Sequence, residues 1–116
     1  MATYDIDARF VHMKEAIVTA RQYADGSLAL TAEAEDEDGY PDTETLSVNL
    51  TGWGVGAPPA EHIYVPTWSE HEGLPEALEA AGIATRTDES VYGSFNVRAV
   101  LMRVSPHILF DRSEAR

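Results

Sequence analysis

The stretch Leu28-Ala29-Leu30-Thr31-Ala32-Glu33-Ala34-Glu35 decides the class of fold. Successive side chains of a strand point to opposite faces, so Leu28, Leu30, Ala32 and Ala34 share one side while Thr31, Glu33 and Glu35 share the other. Apolar residues inward and acids outward, at a period of two, mark a half-buried strand. Just before it, Ala24-Asp25-Gly26-Ser27 carries the Asp-Gly pair of a tight hairpin, where glycine supplies the positive φ. Upstream, Met13 to Tyr23 contains Ile17, Val18 and Tyr23 without Gly or Pro and reads as the partner strand. Strands joined by so short a turn run antiparallel.

Downstream, Asp36-Glu37-Asp38-Gly39-Tyr40-Pro41-Asp42 is a second turn. Leu46, Val48 and Leu50 then alternate with Thr45, Ser47 and Asn49, which predicts a third strand. The open, polar face of the sheet is expected to carry Thr31, Glu33, Glu35, Thr45, Ser47 and Asn49. Residues Thr51 to Ala60 form a loop with three glycines and two prolines. A fourth strand over His62 to Thr67 centres on Ile63 and Val65. Leu74, Leu78 and Ala81 recur at helical spacing, with Pro75 suited to a first turn and Gly82 to a stop, so a helix is predicted from Leu74 to Ala81. Thr85-Arg86-Thr87-Asp88 reads as a turn. Val91, Gly93, Phe95, Val97, Ala99 and Leu101 read as one long last strand, with Ser94, Asn96 and Arg98 outward. The expectation is an α+β domain in the order β-β-β-β-α-β, an antiparallel sheet of about five strands with one short helix on one face.

The chain of 116 residues is the length of a single domain, here taken as 1–116. Segments 1–12 and 105–116 are expected to be loosely attached or interface-forming ends. In the latter, Ile108-Leu109-Phe110 follows Pro106 and needs something to pack on. No apolar run is long enough to span a bilayer, and Met1 to Asp7 lacks the basic and apolar regions of a secretory signal, so the expected location is cytoplasmic. There is no cysteine, which excludes disulfides, thiolate metal sites and cysteine nucleophiles.

Charge is the unusual quantity. Twenty acidic side chains face eight basic ones, for a net charge of -12. That opposes direct binding to nucleic acid or to an anionic membrane and favours a basic partner. A second source of acidity is solubility together with host composition: Lys14 is the single lysine beside seven arginines, the mark of a GC-rich coding bias. Between Glu33 and Glu44 seven of twelve positions are acidic: Glu33, Glu35, Asp36, Glu37, Asp38, Asp42 and Glu44. These are the candidate partner-binding residues.

Other motifs fail on context. Gly52-x-Gly54-x-Gly56 has the glycines of a phosphate loop, but Ala57-Pro58-Pro59 follows in place of a helix and no lysine is near. Asp36-x-Asp38-Gly39 carries part of a calcium-loop pattern, yet Ala34 and Thr45 stand where the first ligand and the bidentate glutamate belong. Glu70-His71-Glu72 groups ligand-type side chains, but neighbours in sequence do not converge on a metal without a sharp backbone turn. His12, His62 and His107 show no helical pairing. No serine lies in an elbow or triad pattern. The chain therefore reads as non-catalytic, without cofactor or metal. Ser69 and Glu72 have capping-box spacing, so Trp68 to Leu74 reads first as a strand-to-helix corner, with Trp68 as its core aromatic.

Tyr23-x-x-Gly26-x-Leu28-Ala29-Leu30, Thr45-Leu46-Ser47-Val48-Asn49-Leu50, Ser69-Glu70-His71-Glu72-Gly73-Leu74 and Leu78-x-x-Ala81-Gly82-Ile83 together resemble a bacterial family of small proteins of unknown function carried by phages and mobile elements. Gly93-x-Phe95 fits it too, and the resemblance spans Gln22 to Val104. This chain departs from it with Trp68 for tyrosine, His71 for asparagine and a longer, more glycine-rich loop after Thr51. The resemblance supplies no catalytic residues. It implies an accessory role in a phage or mobile-element context. The leading expectation is a non-catalytic protein that binds a basic surface of host nucleic-acid machinery, as a defence inhibitor (anti-CRISPR or anti-restriction) and partial DNA mimic. The alternatives are a homodimeric structural or assembly protein built on the Ile108-Leu109-Phe110 tail, and a small-ligand binder or enzyme using the Gly52 to Pro59 loop with Trp53, Trp68 or His71.

Overall fold

The computed structural model describes residues 2–93 and 97–109. Its elements are β1 (Tyr4–Asp7), β2 (His12–Gln22), β3 (Leu28–Glu35), β4 (Pro41–Thr45), β5 (His62–Pro66), α1 (Leu74–Ala80), β6 (Ala84–Tyr92) and β7 (Arg98–Val104). The fold is α+β and its paired strands are antiparallel. The Asp25-Gly26 turn behaves as its residues demand. Gly26 sits at φ +87°, Tyr23 and Ser27 close the loop through Tyr23 N–H to Ser27 O at 2.8 Å, and Asp25 Oδ1 accepts from Ser27 N–H at 2.9 Å. The register Ala20↔Leu30 and Val18↔Ala32 then puts the apolar side of β3 against the core.

The strands form two sheets, ordered β1-β2-β3-β4 and β5-β7-β6, where one sheet of about five strands was expected. Three local readings account for the difference. First, β4 is the polar segment Pro41–Thr45, which pairs with β3 directly out of the turn (Glu35↔Pro41, Thr31↔Thr45). Leu46 to Leu50, expected as the third strand, instead crosses between the sheets. Leu46 N–H still bonds Leu30 O, but Val48 bridges to Tyr64 of β5. Ser47, expected on the open face, is buried. Its hydroxyl accepts from Leu30 N–H at 3.0 Å and shares a 2.8 Å hydrogen bond with the Tyr23 hydroxyl, so the hydroxyl ends the β3–β4 ladder. Glu33, Glu35, Thr45 and Asn49 are exposed as expected, and Thr31 is half-buried.

Second, the predicted long last strand is a hairpin. β6 and β7 pair from Ala84↔Val104 to Tyr92↔Arg98, and Gly93 N–H bonds Val97 O at 2.9 Å. Ser94, Phe95 and Asn96 of the expected strand lie outside the described residues. The turn expected at Thr85 to Asp88 lies within β6 as an irregularity between Arg86 and Ser90, with Asp88 at φ +73°. A turn signal inside a strand is a bulge signal, because a bulge also needs one residue in a turn-like conformation.

Third, the N-terminal segment adds a strand. β1 pairs with β2, and Ile6 is 1% exposed. At the other end, Ser105 is tied to the helix exit by Ser105 N–H to Ile83 O and Ser105 Oγ–H to Gly82 O. Residues 106–109 form a helical turn. Ile108 is buried in the chain's own core, and Leu109 packs against it. Phe110 lies outside the described residues.

Helix α1 forms where its apolar stripe predicts. Leu74, Ala77 and Leu78 are buried, Glu76 lies in the first turn, and Pro75 occupies that turn. Its exit is a Schellman motif: Gly82 N–H bonds Glu79 O, Ile83 N–H bonds Leu78 O, and Gly82 is at φ +78°. The helix packs on β6, β1 and β5. One apolar cluster joins both sheets and the helix through Ile6, Leu30, Leu46, Ile63, Leu78 and Met102. Each such Leu, Ile or Met side chain contributes about 1.5–3 kcal/mol relative to exposure. Among the described residues no helix is long and apolar enough to cross a membrane.

Candidate functional site

The β3–β4 hairpin carries the acidic run on both of its faces. Directly paired residues of an antiparallel ladder point the same way. Glu33 therefore lies with Thr43, and Glu35 with Pro41, on the outer face. Asp42 shares the opposite face with Ala34, and Glu44 with Ala32. Side chains two apart along one face stand about 7 Å from each other, so Glu33 and Glu35 form one short row and Asp42 and Glu44 another. Glu37 and Asp38 cap the tip. The carboxylates make a two-sided rim rather than a single flat patch.

They also differ in what they do. Asp36 is structural: its Oδ1 accepts from the Asp38 and Tyr40 backbone N–H groups, both at 2.9 Å. This self-bonded turn, with Gly39 at φ +83°, holds the tip. Glu44 is half-buried and accepts a hydrogen bond from His71 Nε2 at 3.1 Å. Glu33, Glu35, Glu37, Asp38 and Asp42 are exposed and make no ion pair among the described residues. Where Ala34, Glu35, Asp36, Glu37 and Asp42 approach β1 and β2 they border a hollow of about 630 Å³, whose far wall includes Asp5, Asp7, His12 and Lys14. Among the described residues no three His, Asp or Glu side chains converge as a metal site would require.

Beside the hairpin stands the corner from Trp68 to Gly73. The capping box expected there does not form. A 3-10 turn at Ser69–His71 intervenes, Ser69 takes φ +57°, and Gly73 at φ +81° becomes the helix N-cap with no side-chain cap. Glu72, freed from capping, pairs with Arg9 at 2.9 Å. Trp68 is half-buried, and its ring packs against Trp53 with centroids 5.5 Å apart and planes tilted by 32°. Trp53 arrives from the glycine-rich loop, where Thr51–Trp53 make a 3-10 turn closed by Gly54 at φ +75°. Its ring lies so close to Gly93 that a Cβ there would meet it at 2.7 Å. Thr43, Glu44, Thr45, Ser47, Val48, Pro66, Trp68 and His71 enclose an open groove of about 480 Å³ between β4 and the corner. The sequence suggested Trp53, Trp68 or His71 together with the Gly52 to Pro59 loop as an alternative ligand site, and Trp68 and His71 do line this groove. Sequence reasoning missed that Glu44, at the root of the acidic hairpin, reaches the same groove, because no local pattern relates residues that far apart.

A third charged region serves as a contrast. On the far side of α1, Glu79 accepts from Arg86 Nε, Nη2 and backbone N–H at 3.1, 2.7 and 3.0 Å. The Arg86 hydrogen bonds hold the Glu79 carboxyl below its ordinary value and raise Arg86 above its own. Asp25 is likewise held low, first by the Ser27 hydroxyl and then by the Ser27 backbone N–H.

No family model matches the chain, and neither a curated protein nor a solved structure does.

Proposed function

We propose that this is a non-catalytic interaction protein whose β3–β4 hairpin docks on a basic surface of nucleic-acid machinery, in partial imitation of DNA. The observation that carries this reading is the set of five exposed hairpin carboxylates, Glu33, Glu35, Glu37, Asp38 and Asp42, with no ion pair among the described residues. A rim charged on both faces fits a groove better than a flat surface, and grooves built for phosphate are lined on both walls with Lys and Arg. A net charge of -12 speeds such an encounter and makes it sensitive to salt. In the phage or mobile-element context that the sequence resemblance implies, the encounter would take place in a bacterial cytoplasm, where inhibition of a defence nuclease is the natural purpose of such a mimic.

The test is affinity capture from a host lysate at two salt concentrations. The bait is the native chain or a variant carrying Glu33→Gln, Glu35→Gln, Glu37→Gln and Asp38→Asn. A nucleic-acid-binding protein held at low salt, shed at high salt and not captured by the variant is the expected result. Equal capture by both baits overturns the reading.

A further inference from the structure

We propose that the groove between β4 and the Trp68 corner is an arginine-binding site, which takes one guanidinium from the basic partner while the hairpin rim engages the rest of that surface. This rests on the proposed basic partner and names the contact that would anchor it. The groove has an aromatic wall and an acid on the same side of the molecule. Trp68 lines it, backed by Trp53 at 5.5 Å, and so do Glu44 and His71, which are hydrogen-bonded to one another at 3.1 Å. Glu44 Oε1 is engaged by His71, while Oε2 makes no hydrogen bond among the described residues. The Glu44 side chain is 29% exposed and that of His71 22%, so the carboxylate is reachable but screened from bulk water.

The chemistry selects the ligand. An indole face attracts a cation, and more strongly where water is partly excluded. The carboxylate beside that face has Oε2 open and a second lone pair on Oε1, which suits a planar, forked donor, and that describes guanidinium and not ammonium. Anionic ligands are excluded by the charge around the groove: Asp42 on the same strand face as Glu44, with Glu70 and Glu72 flanking His71 in the corner. The groove is continuous with the hairpin because β4 supplies Thr43, Glu44 and Thr45 to it. A partner drawn in by the rim therefore arrives with its side chains already over the site. Anchors of this type, a tryptophan pocket receiving an arginine, are where interfaces concentrate their affinity.

The two tryptophans of the chain both belong to this corner, so intrinsic fluorescence reports on it without a label. The experiment titrates the full chain with two peptides of equal length and charge and no aromatic residue, one basic through arginine and the other through lysine. The arginine peptide should give a saturable change in tryptophan emission and bind about three- to tenfold more tightly, because its forked donor can engage Glu44 in a way that lysine's point charge cannot. Glu44→Gln should erase that preference. Neutralising Glu33, Glu35, Glu37 and Asp38 should weaken both peptides alike and leave the preference standing. If both peptides bind equally and lose affinity only with the hairpin charges, the arginine site is overturned and the acidic rim survives. If the arginine preference stands but hairpin neutralisation changes nothing, the rim reading falls and the groove survives. Failure of both peptides to bind overturns both.

Discussion

The acidic hairpin and the tryptophan corner lie side by side, yet they are held by different kinds of bond. The hairpin is local. Its strands are joined by a turn whose bonds run from Asp36 to Asp38, Gly39 and Tyr40, and its outer carboxylates touch little else. The corner is assembled from distant pieces: Glu44 meets His71, Arg9 meets Glu72, and Trp53 packs on both Trp68 and Gly93. A local element can change its side chains and keep its shape. An element made of long-range contacts changes as a unit, because contacts that share partners do not add independently. Stability should therefore be concentrated in the corner and its helix, and exchangeable charge in the hairpin.

The largest effect expected from this contrast is at the helix that the corner opens. Gly82 ends α1 at φ +78°, a conformation disfavoured for any side chain and most of all for a β-branched one. Gly82→Val should lower stability by about 1–2 kcal/mol or more, read as a fall in melting temperature or denaturant midpoint. An unchanged midpoint would mean that the Schellman exit, with its Gly82 and Ile83 bonds back to Glu79 and Leu78, does not hold the helix end.

Next comes the ring pair. In Gly93→Ala the new methyl would stand 2.7 Å from the Trp53 indole, so that ring must move off the β6–β7 turn. Separating it from Trp68 should remove about 0.5–1.5 kcal/mol of aromatic contact and shift tryptophan emission toward that of a solvated indole. A variant with native emission would show that Trp53 can move without leaving Trp68, and that the corner is less tightly coupled than its geometry implies.

The hairpin should respond in the opposite sense. Replacing Glu33, Glu35, Glu37 and Asp38 with their amides removes mutually repelling charges and breaks no ion pair among the described residues. The melting temperature should stay level or rise slightly, because self-repulsion of a net charge of -12 falls. A clear loss of stability would show that these carboxylates support the fold, and the division between the two regions would collapse.

The same division explains what could be read from the residues alone. The β2–β3 hairpin was legible because an Asp-Gly turn and a period-two strand are adjacent in sequence, and α1 was legible because its stripe, Pro75 and Gly82 agree. The strand β4 was not: Pro41-Asp42-Thr43-Glu44-Thr45 is polar on both faces, so no alternation announces it, while the alternating Leu46, Val48 and Leu50 belong to a crossover that buries Leu46 and Leu50. The β6–β7 hairpin was hidden because Val91, Gly93, Phe95, Val97, Ala99 and Leu101 keep one period-two phase in sequence from the end of β6 into β7. At the candidate site, the acidic run could be counted in the sequence. The contact of Glu44 with His71 could not, since it depends on the crossover that brings β4 beside the corner.

The smallest expected effect supplies the control for the charge argument, because Glu79 is a carboxylate that does have a cation. Its hydrogen bonds from Arg86 hold its folded-state value below the ordinary one. A depressed carboxyl contributes stability that is present above its unfolded-state value and lost as pH falls through its folded-state value. Arg86→Gln removes that contribution without touching the core. Arg86 is exposed and Glu79 half-buried, so solvent and salt still screen the pair and the difference between native and variant should be small. Melting curves of the two proteins from neutral to strongly acidic pH should differ most near neutrality. The gap should narrow only below the ordinary carboxylate range, and it should shrink at every pH when salt is raised. A gap independent of both pH and salt would mean that Arg86 acts through packing of its stem against the strand. Charge on this face would then be as exchangeable as it is predicted to be in the hairpin.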